Sequence, residues 1–199
     1  MNVQVFVEGG GDQKRTRIAC RKAFATFFEK ALGSDTSMPR ISACGSRDKA
    51  YRDFCRKTEQ ERETFSVLLV DSEGPVAGGI SAWNHLGWQR PANAMDHQAH
   101  LMVQCMESWF LADRQTLATY YGAEFRDAAL PGHPNPEDSP KRDVMGGLSR
   151  ATVATQKGEY HKTRHAFEIL ERIDPALVRA RCPHVDALLS TLAARLSVS

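Results

Sequence analysis

The sequence predicts an α/β protein, a Rossmann-like parallel sheet followed by a helical C-terminal extension, and three observations lead there. Strand-like and helix-like patterns alternate from Val3 to Val70, the order of a sheet whose crossovers are helices. Phe65 to Val70 is an apolar run, with Ser66 its one polar member, broken by Asp71-Ser72-Glu73-Gly74-Pro75, the pattern of a strand buried on both faces of a parallel sheet. Towards the C-terminus the apolar residues recur at helical spacing.

Val3, Val5 and Val7 alternate with Gln4 and Phe6 and end at Glu8-Gly9-Gly10-Gly11, so the first element is a strand. A helix follows, with Asp12 as N-cap, Cys20, Phe24, Phe27, Phe28 and Ala31 on one face, and Gly33 as its stop. Arg40 to Cys44 reads as a weaker strand. Ala50, Tyr51, Phe54 and Cys55 mark the buried stripe of a second helix, and Phe65 to Val70 is the third strand. Gly74 to Gly79 is a loop and Ser81 to Leu86 a short helix. A fourth strand is expected at Ala99 to Cys105, passing into a helix that carries Glu107, Trp109, Phe110 and Asp113. Residues 131–140 hold four of the nine prolines and read as an exposed loop, after which Ser139 and Pro140 resemble an N-cap and first helical residue. Val185, Leu188, Leu189, Leu192 and Leu196 form one face of the last helix.

A length of 199 residues suits one domain, with a core over about residues 1–115 and the helical extension over about 116–199. With 42% hydrophobic and 25% charged residues the chain can bury a sizeable core. No apolar run approaches the ~20 residues of a membrane span, and Glu8 and Asp12 stand where a signal peptide would be basic and apolar, so a cytoplasmic protein with no membrane contact is expected. Five scattered cysteines without a C-x-x-C pair support neither a disulfide framework nor a zinc knuckle, and read as small core residues or free thiols.

Charge is segregated. Residues 14–63 hold 13 Lys and Arg against 7 Asp and Glu, residues 64–140 hold 3 against 9, and residues 141–181 hold 9 against 5. Solvated helix faces would give this pattern, and so would a carboxylate-lined site bordered by cations, as a metal-dependent enzyme acting on a polyanion requires. Glu8 follows one expected strand and Asp71 with Glu73 another, and in parallel sheets such strand ends share the ligand-binding edge. Two residues apart in an extended segment, Asp71 and Glu73 point to the same side and can share one ion. Oxygen ligands of this kind suit Mg²⁺ or Mn²⁺. Carboxylates ~4 Å apart repel by about 4 kcal/mol at an effective dielectric of ~20, which calls for a cation or a shared proton; the other reading is that the pair only caps a turn. Gly9-Gly10-Gly11 fits neither the Walker A nor the dinucleotide pattern, although a Gly-rich turn with Lys14, Arg15 and Arg17 behind it can admit a phosphate as well as form a plain tight turn.

The run Glu8-Gly9-Gly10-Gly11-Asp12 after an apolar strand, with Asp71-Ser72-Glu73-Gly74 after another, resembles the Toprim catalytic domain of topoisomerases, DnaG-type primases and OLD-family nucleases. The resemblance implies Glu8 as acid or base and Asp71 with Glu73 as the Mg²⁺-binding pair, Glu73 standing where that family has a second aspartate. His100-Leu101-Met102-Val103, Met106-Glu107-Ser108-Trp109-Phe110 and Tyr160-His161-Lys162-Thr163 are similar to a bacterial Toprim-like family of unknown function whose members resemble the nuclease partners of ABC-type ATPases in defence modules. It implies a Mg²⁺-dependent nuclease acting on nucleic acid, with an ABC/OLD-type ATPase as partner.

Glu107, just past an expected strand end, is a candidate fourth carboxylate or an ordinary acidic helix start. Lys162, in a basic stretch expected to be helical, is a candidate for steadying a scissile phosphate or a surface lysine. His161 and His165 stand four apart, but Lys162 occupies the place of the zincin glutamate, which excludes a zinc protease. The expected activity is phosphodiester hydrolysis. The alternatives are a non-catalytic binding or regulatory partner of an ABC-type ATPase, or nucleotidyl transfer or small-phosphoester hydrolysis. A topoisomerase lacks here the further domains and the nucleophilic tyrosine it would need.

Overall fold

The computed structural model describes residues 2–33, 37–61 and 63–197. Its centre is a four-stranded, all-parallel sheet of β1 (Asn2–Glu8), β2 (Arg40–Gly45), β3 (Thr64–Asp71) and β4 (Ala99–Met102), in the order β2-β1-β3-β4. Helices α1 (Lys14–Leu32) and α2 (Arg47–Gln60) make the first two crossovers, so the fold is α/β and Rossmann-like as expected. The chain leaves β1 for β2 on one side and then returns to β3 on the other. That reversal puts a topological switch point between the C-terminal ends of β1 and β3, where parallel sheets bind ligands.

Alternation along the strands builds two cores. Val3, Val5 and Val7 of β1 and Phe65, Val67 and Leu69 of β3 face the cluster that holds Phe24, Phe27 and Phe28 of α1. Phe6, Leu68 and Val70 face the opposite side, with Phe54 of α2 and Trp83 of the short helix α3 (Ala82–Leu86). Because both faces are covered, Phe65 and Val67 to Val70 are all apolar, and the one polar residue among them, Ser66, is buried as well. Trp109 is fully buried, stacked on Phe27 at 5.2 Å between ring centres and edge-on to Phe24 at 6.1 Å.

The C-terminal extension closes the α1 side. It comprises α4 (Arg114–Tyr121), α5 (Lys141–Thr152), α6 (Ala166–Leu170), α7 (Pro175–Arg181) and α8 (Pro183–Leu196). Val185, Leu188, Leu189, Leu192 and Leu196 of α8 are all buried, and they share one continuous core with β1, β3 and α1. Lys30 of α1 fastens this layer by donating to the carbonyls of Glu171, Arg172 and Ile173 at 3.1, 2.9 and 2.8 Å.

Several expectations change in detail. Asp12 does not cap α1: Gln13 occupies the cap position without a side-chain bond, and Asp12 pairs with Arg17 at 3.6 Å. β4 ends at Met102, short of the expected Cys105, although the backbone N–H groups of Ser72 and Glu73 beyond β3 still donate to the carbonyls of Met102 and Gln104 at 3.1 and 3.0 Å. The segment that follows is a 3₁₀ helix, Met106–Ala112, and Asp113 lies beyond it as N-cap of α4, accepting from the Thr116 N–H at 3.1 Å. The proline-rich stretch is not wholly exposed. Pro136, Glu137 and Ser139 are buried, and Glu137 accepts from the His184 backbone at 3.0 Å and lies 2.7 Å from its Nδ1. Ser139 is not a cap, since α5 starts at Lys141 with Pro140 in the cap position and the Ser139 hydroxyl bonded to nothing. Residues 161–164 form a turn before α6 instead of a helix, so Lys162 is on a loop and only His165 touches the helix, at its cap. Among the described residues the cysteines are free, four of them buried, and no helix is long and apolar enough to cross a membrane.

Burial of His100 in β4 has a measurable consequence. Desolvation pushes its imidazole down to about 4, while Nε2 lies 3.0 Å from the His97 carbonyl. The unfolded chain, with histidine near 6.5, takes up a proton in this interval that the native protein refuses. Stability from His100 is therefore complete above pH ~6.5 and declines as pH falls towards ~4, by about 3 kcal/mol in all. Urea midpoints compared at the two ends of this window should show a smaller acid loss in His100→Gln than in the wild type; equal losses would contradict the assignment.

Candidate metal centre

The register of the strands brings the acidic residues together. Val7 of β1 pairs with Leu69 of β3, so Glu8 and Asp71 finish neighbouring strands at the switch point. Glu8 Oε2 accepts the Asp71 backbone N–H at 3.0 Å, which ends the sheet ladder with a side chain in place of a backbone carbonyl. Asp71 is 3% exposed, and its Oδ1 accepts the Met106 N–H at 2.9 Å. Glu73 joins them by a route other than the expected extended segment. Its backbone is left-handed, with φ of 64°, and this turn bends its carboxylate back over the strand end. Oxygens of Glu8, Asp71 and Glu73 lie within 4.8 Å of one another.

Below them is a cavity of about 250 Å³, walled by Glu8, the Gly9–Gly11 turn, Asp71, Met106, Lys162 and Phe167. Glycine is required in this wall. A Cβ at Gly10 would stand 2.9 Å from the Arg17 Cα, and one at Gly45 2.7 Å from the Gly11 carbonyl, and both residues have positive φ. The N-termini of β2's connection and of the glycine turn are thereby held against each other, with Gly9 and Gly45 exchanging backbone bonds of 3.0 and 2.9 Å.

Two lysines face the carboxylates. Lys141, the first residue of α5, grips both oxygens of Glu73 at 2.8 and 2.7 Å and lies 3.8 Å from Asp71. Lys162 lies 3.6 Å from Asp71 and 3.7 Å from Glu107. Glu107 itself is fully buried behind the cluster. Tyr160 donates to its Oε1 at 2.9 Å, while Oε2 has no hydrogen-bond partner. It is therefore not grouped with the three converging carboxylates, and its direct contacts are to Lys162 and Tyr160. Burial raises the carboxyl of Glu8, and pushes that of Asp71 up to about 7 against the pull of Lys162. Burial acts to lower Lys162, but Glu107 and Asp71 outweigh it and hold the ammonium above the ordinary lysine value. Burial together with Glu107 likewise raises the Tyr160 phenol, so it stays a donor.

Of the sequence candidates, Glu8, Asp71 and Glu73 converge directly, Lys162 borders them, and Glu107 supports Lys162. Lys141 and Tyr160 were not assigned roles from sequence. Tyr160 adjoins Lys162 in a motif, but no spacing rule connects Lys141 with Glu73 across 68 residues. His161 and His165 do not converge as ligands: His165 Nδ1 lies 3.1 Å from the Tyr121 hydroxyl and accepts the His161 N–H at 3.2 Å.

Residues 7–193 match the family described as a domain of unknown function, DUF4276. The chain belongs to the DUF4276 family. The matched region begins at the end of β1 and runs into α8, so it holds every residue of the DUF4276 site just described. No curated protein and no solved structure matches the chain.

The three oxygens fit a small hard cation. Among the described residues this is the group of carboxylates that could hold one, its ligands are all oxygen, and two of the three acids resist ionisation when no cation lies between them. The unpartnered Oε2 of Glu107 adds a further buried acceptor behind the cluster.

Proposed function

We propose that this chain is a Mg²⁺- or Mn²⁺-dependent nuclease of Toprim-like type, hydrolysing phosphodiester bonds of nucleic acid. The observation that supports it most is the convergence of Glu8, Asp71 and Glu73 within 4.8 Å at the switch point of a parallel sheet. Glu8, Asp71 and Glu73 would hold the ion, which when bound supplies a polarised phosphate and a more acidic water. Glu8, whose carboxyl burial raises above the ordinary range, is suited to carry a proton to or from the reacting oxygens. Lys162 offers a fixed positive charge at the cavity wall where a phosphate would gain negative charge. Glu107 and Tyr160 act through Lys162, as positioning residues, by anchoring its ammonium from behind. An ABC/OLD-type ATPase as partner follows from the sequence resemblance.

The second reading, a non-catalytic regulatory partner of such an ATPase, is favoured by one contact. Lys141 already neutralises Glu73 through both oxygens, so the acidic pair is balanced by the protein's own cation. Incubation with labelled DNA and RNA, with Mn²⁺ or with chelator, separates the two. Cleavage that needs the ion and disappears in Asp71→Ala supports the nuclease. Absence of cleavage with Mn²⁺ and the partner ATPase present, while the wild type still binds that ATPase, favours the regulatory reading.

A further inference from the structure

Beside the metal centre lies a second and larger concavity, of about 650 Å³. Thr163 and Phe167 line both, so the two adjoin at the turn that carries Lys162. The walls of the larger one bring together cations from three separate parts of the chain: Arg15 at the start of α1, Lys157 after α5, and Arg164 in the turn before α6.

These cations are exposed and uncommitted, whereas the acids beside them are not. Among the described residues Arg15 and Arg164 have no side-chain hydrogen bond or ion pair, and Lys157 only lies over the Tyr120 ring at 4.6 Å. Glu171 is held by Lys22 at 2.7 Å, and Glu168 accepts from the Tyr120 hydroxyl at 3.0 Å and meets Arg172 at 4.0 Å. The groove thus presents three unpaired positive charges and no unpaired negative one from these two acids. Such a charge balance selects a polyanion. Arg164 and Lys162 are two residues apart, so their backbones are within ~7 Å and an anion chain crossing from groove to cavity meets one after the other.

We propose that this groove is the track for a single strand of nucleic acid, whose phosphates lie along Arg15, Lys157 and Arg164 and lead the next phosphodiester to Lys162 and the carboxylates. The assignment rests on the nuclease reading for its direction into the site, but the binding itself needs no metal. A duplex is disfavoured, because concavities of a few hundred cubic ångströms accommodate a small ligand or a short length of strand. Recognition is through the backbone. Tyr120 and Phe167 of its lining are both buried, and Lys157 and Arg172 lie over the Tyr120 ring at 4.6 and 5.2 Å, so these rings offer no exposed platform for base stacking.

The test is fluorescence anisotropy of a labelled oligothymidylate of about 12 nucleotides with the full chain in chelator, across ~50 to ~200 mM salt. Replacing Arg15, Lys157 and Arg164 together by glutamine should weaken binding at least about tenfold and make the log-log salt slope shallower by about 2, three phosphates at ~0.7 each. The control replaces Arg52, Arg56 and Arg90, which line a separate concavity on the α2 side, and should leave the slope near the wild-type value. Unchanged affinity and slope in the first variant overturn the groove, as does an equal loss in the control, a preference for duplex of the same length, or no binding by the wild type. Groove-dependent binding without any cleavage upholds the track and removes the nuclease reading alone. Since all six residues are exposed, both variants should melt with the wild type, which reports that they fold.

Discussion

Alanine at Glu8, Asp71 or Glu73 is expected to lower metal-dependent cleavage by on the order of 10²- to 10³-fold or more, and the triple variant should be little worse than any single one. The reason is geometric. On the proposed reading, three oxygens within 4.8 Å would serve one ion and one transition state, so removal of one member would disable the others. If a carboxylate only stabilised its turn, its loss would cost about 1 kcal/mol of stability and spare the rate, so melting and turnover measured on the same variants divide the accounts. Glu73→Asp introduces the acidic pair of the Toprim domains that the sequence resembles while shortening the reach by one methylene. It should change the rate or the Mg²⁺ to Mn²⁺ preference without unfolding the protein. Retained wild-type rate and preference would show that Glu73 is no ligand and that its contact with Lys141 is its whole role.

A second large effect is expected on stability. Carboxylates 4.8 Å apart repel by roughly 3 to 4 kcal/mol per ionised pair at an effective dielectric of ~20. Lys141 and Lys162 offset part of this, and partial protonation of the buried acids offsets more. A divalent ion relieves the rest and, because only the native site binds it, at 100 times its Kd adds about 2.7 kcal/mol. For a domain of this size that corresponds to a rise in Tm of roughly 5 to 11 °C. Asp71→Asn keeps an acceptor for the Met106 N–H but removes one charge. In chelator it should melt at or above the wild-type temperature, and in Mg²⁺ or Mn²⁺ it should gain little. A rise as large in Asp71→Asn as in the wild type would place the ion elsewhere.

The sheet was legible because burial is written into composition: Phe65 and Val67 to Val70 are apolar since both faces are covered, and Val3, Val5 and Val7 mark the side packed on α1. Glu8 and Asp71 were legible for the related reason that strand ends in a parallel sheet share an edge. The cations were harder. Lys141 reaches Glu73 because α5 packs on the 3₁₀ segment Met106–Ala112, a long-range placement that leaves no local periodicity. Lys162 was expected on a helix but stands in a turn, since the helix pattern of Ala166 to Leu170 does not reveal where its first turn begins. Glu73 was expected to align with Asp71 by the two-residue period of extended chain, yet it does so from a left-handed conformation that sequence rarely announces outside glycine and asparagine. Glu107 resembled a fourth ligand by its position after β4, but the tight 3₁₀ turn sinks it behind the cluster, where Tyr160 and Lys162 meet it.

The central claim is that Glu8, Asp71 and Glu73 form a divalent-cation centre, and crystals grown with Mn²⁺ test it most directly through the anomalous signal of the ion. The account predicts one anomalous peak bounded by oxygens of these three residues, with Lys141 withdrawn from Glu73. A map with no peak there, and with Lys141 still bound to both Glu73 oxygens at saturating Mn²⁺, would contradict it.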